Sequence, residues 1–202
     1  MAFWTVHEPQ SSMFINPTCL AHNICYLELK IRKAENQPYN SGLAPWSSVM
    51  NTKSEGQGQL DFMKEAIEEA KLSLRERGIP IGSVLVKDGK VIARGHNMRV
   101  QKNDPILHAE IDCLRNAGRI GSYNGTTIYS TLMPCYLCAG AVVLFGIRKV
   151  VVGESENFAG AKEFMQEHGV EVTDLNLDEC KEIMREFIRN NSRLWNEDIG
   201  QL

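Results

Sequence analysis

The 202-residue chain has little that would place it in a membrane, outside the cell or on nucleic acid. Within the uncharged run from Ile120 to Ile147, the mostly apolar part, Leu132 to Ile147, is about 16 residues and contains Pro134, Gly140 and Gly146. That is short for a bilayer span and reads as a buried helix. No basic start followed by an apolar segment marks a secretory signal. Lysine and arginine number 22 against 25 acidic residues, a formal net charge of -3. There is thus no positive surplus to draw phosphate backbones or anionic membranes. There is no second Cys-x-x-Cys, no internal repeat and no low-complexity tract. Of the six cysteines (Cys19, Cys25, Cys113, Cys135, Cys138, Cys180), only one pair is closely spaced. A chain of this length has no need of disulfide staples. The expected compartment is the cytoplasm, and with it the nucleus.

With 43% hydrophobic and 23% charged residues, what remains is the composition of an ordinary globular domain. It falls into two unequal parts. Residues 1–56 carry four basic and four acidic side chains, so all of the net charge lies in 57–202. Their hydrophobic residues follow no sustained period, and Pro9, Pro17, Pro38 and Pro45 interrupt them. This leader is predicted to be largely disordered. It is too acidic and too poor in arginine to read well as a transit peptide, and Met50 is an alternative start.

From Leu60 the pattern becomes regular. Leu60, Met63, Ile67, Ala70 and Leu74 fall on one helical face, ended by Gly78 and Pro80. Residues 83–86 and 90–94 read as strands joined across Asp88-Gly89, a two-residue hairpin signal. A helix over 108–116, a strand over 126–132, a helix over 136–145 and a strand over 149–153 follow. Helices over 159–167 and 177–190 flank a short strand over 170–173. This order predicts an α/β fold, a three-layer sandwich with a central mixed sheet of about five strands.

Pro134-Cys135-Tyr136-Leu137-Cys138 follows a strand and opens a helix, so thiols at i and i+3 share a face. A helix N-terminus favours the thiolate that a metal requires. Alone, the pair also suits a redox couple, half of a structural zinc site or two core thiols. His108-Ala109-Glu110, at another helix start, changes that balance. One His and two Cys leave the fourth position of a tetrahedral zinc open, the arrangement of a catalytic site, where bound water becomes acidic. Glu110 is then the proton carrier beside it. Two residues apart in a regular helix, His108 and Glu110 would diverge. Both face one cavity only if His108 sits at the irregular entry, which Asp104-Pro105 favours. His96, Cys113 and Cys180 read as structural, and His7, His22 and His168 have no partner that would make them ligands.

His-x-Glu followed by Pro-Cys-x-x-Cys is the signature of zinc nucleobase deaminases. With Gly78-Ile79-Pro80-Ile81-Gly82, Gly95-His96-Asn97-Met98-Arg99, Thr131-Leu132-Met133-Pro134-Cys135, Val151-Val152-Gly153-Glu154 and Trp195-Asn196-Glu197-Asp198-Ile199-Gly200, residues 60–202 resemble the fungal-type cytosine deaminases. These belong to the zinc-dependent cytidine/deoxycytidylate deaminase superfamily. The resemblance implies a homodimer with one zinc per subunit that hydrolyses cytosine to uracil and ammonia in pyrimidine salvage. It also implies water attacking C4, with Glu110 as proton shuttle. Asn97 would bond the pyrimidine edge, the backbone N–H of Ala109 would hold the ring, and Asp198 would accept from the exocyclic amine. Ile81, Phe158 and Trp195 would form apolar walls, the last on a helix covering the site. Ala109 replaces the family's glycine and Met133 its serine, which leaves the substrate less determined than the chemistry.

Guanine, nucleoside, deoxycytidylate and tRNA-adenosine deaminases share that metal chemistry. A tRNA enzyme would carry a basic surface, against which the acidic balance speaks. Arg99 and Lys102 are the candidates for a phosphate contact. A catalytically silent zinc module that binds a partner would have no use for Glu110.

Overall fold

The computed structural model describes residues 47–201. The disorder expected of residues 1–46 lies outside them. For 47–56 the expectation is corrected: helix α1 spans Ser47–Arg75, starting well before Leu60. No proline interrupts the chain between Pro45 and Pro80, and once a helix is nucleated each further residue adds a hydrogen bond. Its buried face is also turned slightly from the predicted stripe. Met63, Ala66, Ile67, Ala70 and Ser73 are buried, whereas Leu60 and Leu74 are exposed. Ser73 replaces Leu74 inside because its hydroxyl lies 2.7 Å from the carbonyl of Ile79 and 2.8 Å from that of Asn97. A buried hydroxyl with partners is tolerated where an unpaired one is not.

Strands β1 (Gly82–Lys87) and β2 (Lys90–His96) form the predicted hairpin. Asp88 and Gly89 both have positive φ, as a tight turn between twisted strands requires. A one-turn helix α2 (Arg99–Lys102), not foreseen, precedes α3 (Ala109–Ala117). Then come β3 (Thr126–Ser130), α4 (Tyr136–Leu144), β4 (Lys149–Val152), α5 (Lys162–Glu167), β5 (Glu171–Asp174), α6 (Asp178–Asn190) and α7 (Ser192–Asp198). α5 begins later than predicted, because Gly160 has a positive φ that no helix tolerates. The sheet order is β2-β1-β3-β4-β5, with β1 antiparallel to both neighbours and β3, β4 and β5 parallel.

Alternation along the strands makes the three layers. Val84, Val86, Tyr129 and Val151 pack with Met63, Ala66 and Ile67 of α1 and Cys180 of α6. Their neighbours Leu85, Ile128, Val150 and Val152 pack on the other face with Cys113, Val142 and Met165 of α3, α4 and α5. Each such aliphatic side chain contributes about 1.5–3 kcal/mol by leaving water. α1 lies so close to β1 that a Cβ on Gly82 would stand 2.0 Å from the carbonyl oxygen of Ala66, so only glycine fits. No described helix is long and apolar enough to cross a membrane. A third cluster, Ile79, Ile81, Ala109, Leu132, Met184, Phe187 and Trp195, gathers beyond the carboxyl end of β3. That is where ligands bind in open α/β sheets.

Candidate active site

Two helix starts converge there. His108 is the N-cap of α3 and Cys135 that of α4, both in extended conformation, with φ/ψ of -69/166 and -72/174. The irregular entry predicted for His108 is present, and it lets imidazole and Glu110 reach one cavity. The loop bearing Cys135 is pinned from both sides. Met133 donates its N–H to the carbonyl of Glu154, and the carbonyl of Pro134 accepts from Ala161.

The ligand atoms of His108, Cys135 and Cys138 lie within 4.8 Å of one another. His108 Nδ1 and Cys135 Sγ are 3.5 Å apart. A tetrahedral zinc would separate such a nitrogen and sulfur by about 3.6 Å, so the donor set and its spacing both fit that ion. Electrostatics agree. Cys138 and His108 stabilise the Cys135 thiolate and bring its pKa down to about 4. The Cys138 thiol, beside that thiolate and buried, is pushed well above its usual value. Burial works against a charged His108 ring, yet Cys135, Asp198 and Glu110 together carry its pKa upward. A site that already gathers this much negative charge is made for a cation.

Glu110, only 3% exposed, stands beside these ligands. Burial first, and the Cys135 charge second, raise its carboxyl above the usual range, a condition suited to proton transfer. The Ser130 hydroxyl at the end of β3 donates to its Oε1 at 3.1 Å, a partner that sequence reasoning missed.

The cavity over these groups has about 320 Å³ of space between atoms, mouth included. Of the predicted residues, Ile81, His108, Glu110, Cys135, Phe158, Trp195 and Asp198 line it, joined by Leu132, Met133 and Ile199. Ile199 was legible: it lies four residues after Trp195, on the same helical side. Cys138, Asn97 and Ala109 sit behind the lining, each fully buried. Asn97 Nδ2 donates to Asp198 Oδ1 at 3.3 Å, and its own Oδ1 accepts the Arg99 N–H at 3.1 Å. The N–H of Ala109 belongs to a first helical turn, which has no intrahelical acceptor for it.

α7 forms the roof. It packs Trp195 edge-to-face on Phe158, with centroids 5.9 Å apart and planes at 88°. The Phe158 loop is in turn fixed by the wholly buried Glu154 carboxylate, which accepts from the N–H groups of Glu156 and Asn157. The other structural assignments fit as well. Cys113 and Cys180 are core thiols pushed by burial up to about 12. His96 is clamped between Glu69 and Glu76.

Known proteins resemble this chain in sequence and fold. Residues 57–154 match the cytidine and deoxycytidylate deaminase zinc-binding region. The chain is 46% identical over 142 residues to a cytosine deaminase of Candida albicans, covering 69% of this chain and 95% of that one. It is also 40% identical over 143 residues to a tRNA-specific adenosine deaminase of Streptococcus pyogenes, covering 65% of this chain and 90% of that one. A solved structure from work on tRNA:A34 deaminases superposes with a TM-score of 0.56 at 35% identity, over 61% of this chain and 99% of that one. A histidine and two cysteines gathered for zinc, on this sheet and with relatives this similar, mean that the chain belongs to the zinc-dependent cytidine and deoxycytidylate deaminase family.

Proposed function

We propose that the protein hydrolyses the free base cytosine to uracil and ammonia. The observation that carries this reading is the roofed cavity: α7 closes over a small space in which Asp198 and Glu110 are set among apolar walls. A small roofed site suits a free base, whereas a nucleotide held in a polynucleotide calls for an open mouth. Met133 narrows it further. Arg99, a candidate for a phosphate contact, is instead committed to Asp198 at 2.7 Å.

His108, Cys135 and Cys138 would hold a zinc ion, which would lower the pKa of a water in its open position toward neutrality and so supply the nucleophile. The chain's own groups do the rest. Glu110 takes one proton from the attacking water and delivers it to ring N3 as the C4–O bond forms, then takes the second from the new C4 hydroxyl and passes it to the amine as the C4–N bond breaks and ammonia leaves. Asp198 accepts a hydrogen bond from the same amine. Asn97 has a second amide hydrogen to give to the pyrimidine edge, and the Ala109 N–H holds the ring. Ile81, Phe158 and Trp195 exclude bulk water, which strengthens each of these polar contacts.

Ammonia release is to be measured from cytosine, 5-methylcytosine, cytidine, guanine and a tRNA anticodon stem-loop. Cytosine should be turned over, with kcat/KM at least about 100-fold above that for cytidine. The identity to tRNA-specific deaminases supports one alternative. Ammonia from the stem-loop alone, with inosine formed, would replace the present reading by that one.

The partner we propose is a second copy of this chain. Tyr136, Leu137, Leu144 and Phe145 on and just after α4 are exposed, Leu144 at 79% and Tyr136 at 69%. A helix apolar on more than its core-facing side needs a further surface to cover it. Sedimentation should give twice the monomer mass, and Leu144→Asp should halve it. A wild-type protein that sediments as a monomer at micromolar concentration contradicts the dimer.

A further inference from the structure

We propose that Arg99 is a positioning residue. Its guanidinium fixes Asp198 so that one carboxylate oxygen is held within the protein and the other is left for the substrate's amine, and the same bonds latch the α7 roof. The roof clause stands on the structure alone. The substrate clause rests on the cytosine reading.

At this side chain the distant helix α7 meets the nearby loop at Pro105. Arg99 Nη1 donates to Asp198 Oδ1 at 2.7 Å, on α7. Nε donates to the carbonyl of Pro105 at 3.0 Å, in the loop that leads into His108. Nη2 lies 3.6 Å from Glu197 Oε1, also on α7. The backbone N–H of Arg99 holds the Oδ1 of Asn97, whose amide in turn reaches Asp198 Oδ1. One planar group with donors on several sides thus connects the base-recognition residues, the approach to a zinc ligand and the roof. A lysine, a single point charge on a flexible stem, cannot direct hydrogen bonds to all three at once.

The ion pair is also buried, with Arg99 10% and Asp198 5% exposed at the side chain. Surface pairs contribute little, but removing one member of a buried pair leaves an uncompensated charge behind. Asp198 Oδ1 receives both Arg99 and Asn97, while among the described residues no hydrogen bond reaches Oδ2. The carboxylate lines the cavity. An ionised carboxylate is an acceptor only, so its unengaged oxygen selects a ligand that brings an N–H, such as an exocyclic amine.

The test uses zinc-loaded wild type, Arg99→Gln and Arg99→Lys, in two arms. In steady-state kinetics with cytosine, Arg99→Gln should lower kcat/KM on the order of 100-fold, almost all of it as a higher KM. Arg99→Lys should recover part of that, leaving a loss of about tenfold. A merely structural role would lower kcat through a smaller folded fraction and leave KM unchanged. In the second arm, with no substrate present, amide hydrogen exchange in the peptide carrying Trp195 and Ile199 should speed up about tenfold in Arg99→Gln. Unchanged KM, or unchanged exchange in that peptide, overturns the proposal. Should Arg99→Gln fail to fold, Arg99→Lys carries both arms with the same directions. A wild type that leaves cytosine untouched overturns the substrate clause and the cytosine reading together, while the exchange arm still decides the latch.

Discussion

Replacing Glu110 by glutamine is expected to lower kcat on cytosine by about 10³-fold while leaving one zinc per chain. The amide has nearly the same shape as the carboxyl and still accepts from the Ser130 hydroxyl, so the pocket keeps its walls. It cannot accept and release a proton, which is the function assigned to this position. Stability should not suffer. Burial raises the Glu110 pKa above its unfolded value. For an acid, such a shift means that the charged form costs stability at pH values above the folded pKa, and that the cost is relieved as pH falls through it. Glutamine removes that cost at neutral pH, so the melting temperature of zinc-free protein should hold or rise. The checks are ammonia release, metal analysis and thermal unfolding of the two proteins. A variant with kcat within tenfold of wild type takes the proton shuttle away from Glu110.

Loss of a ligand should act on the metal itself. His108→Ala leaves the two thiols of Cys135 and Cys138 without the imidazole that stands 3.5 Å from Cys135. Zinc per chain after dialysis should fall from about one to below about 0.2, activity should vanish, and the melting temperature should drop. Metal that binds only the folded state stabilises it by mass action, and that contribution would be gone. The two variants separate the roles. One keeps zinc and loses turnover; the other loses both.

Much of the fold was legible because its periodicities are strong. β1, β3 and β4 place β-branched and aromatic residues on both faces, and Asp88-Gly89 marks the hairpin without help from tertiary contacts. The zinc residues were legible for a chemical reason: few arrangements besides a metal site place a histidine and a paired cysteine at two helix starts. What escaped depends on contacts between distant segments. α2 is one turn long and its one apolar residue, Val100, is exposed, so it has no hydrophobic pattern to show. Ser73 breaks the apolar stripe of α1, and only the carbonyls of Ile79 and Asn97 explain its burial. Ser130 reads as one more small strand residue until Glu110 is seen beside it. Arg99 has the least local signal. Its partner Asp198 lies on the last helix, and nothing in the residues around either one announces the pair.

Zinc X-ray absorption on the purified protein tests the metal centre most directly. A site of His108, Cys135, Cys138 and one solvent position predicts two sulfur neighbours at about 2.3 Å and two nitrogen or oxygen neighbours at about 2.0–2.1 Å. Four sulfurs, or none, would contradict it.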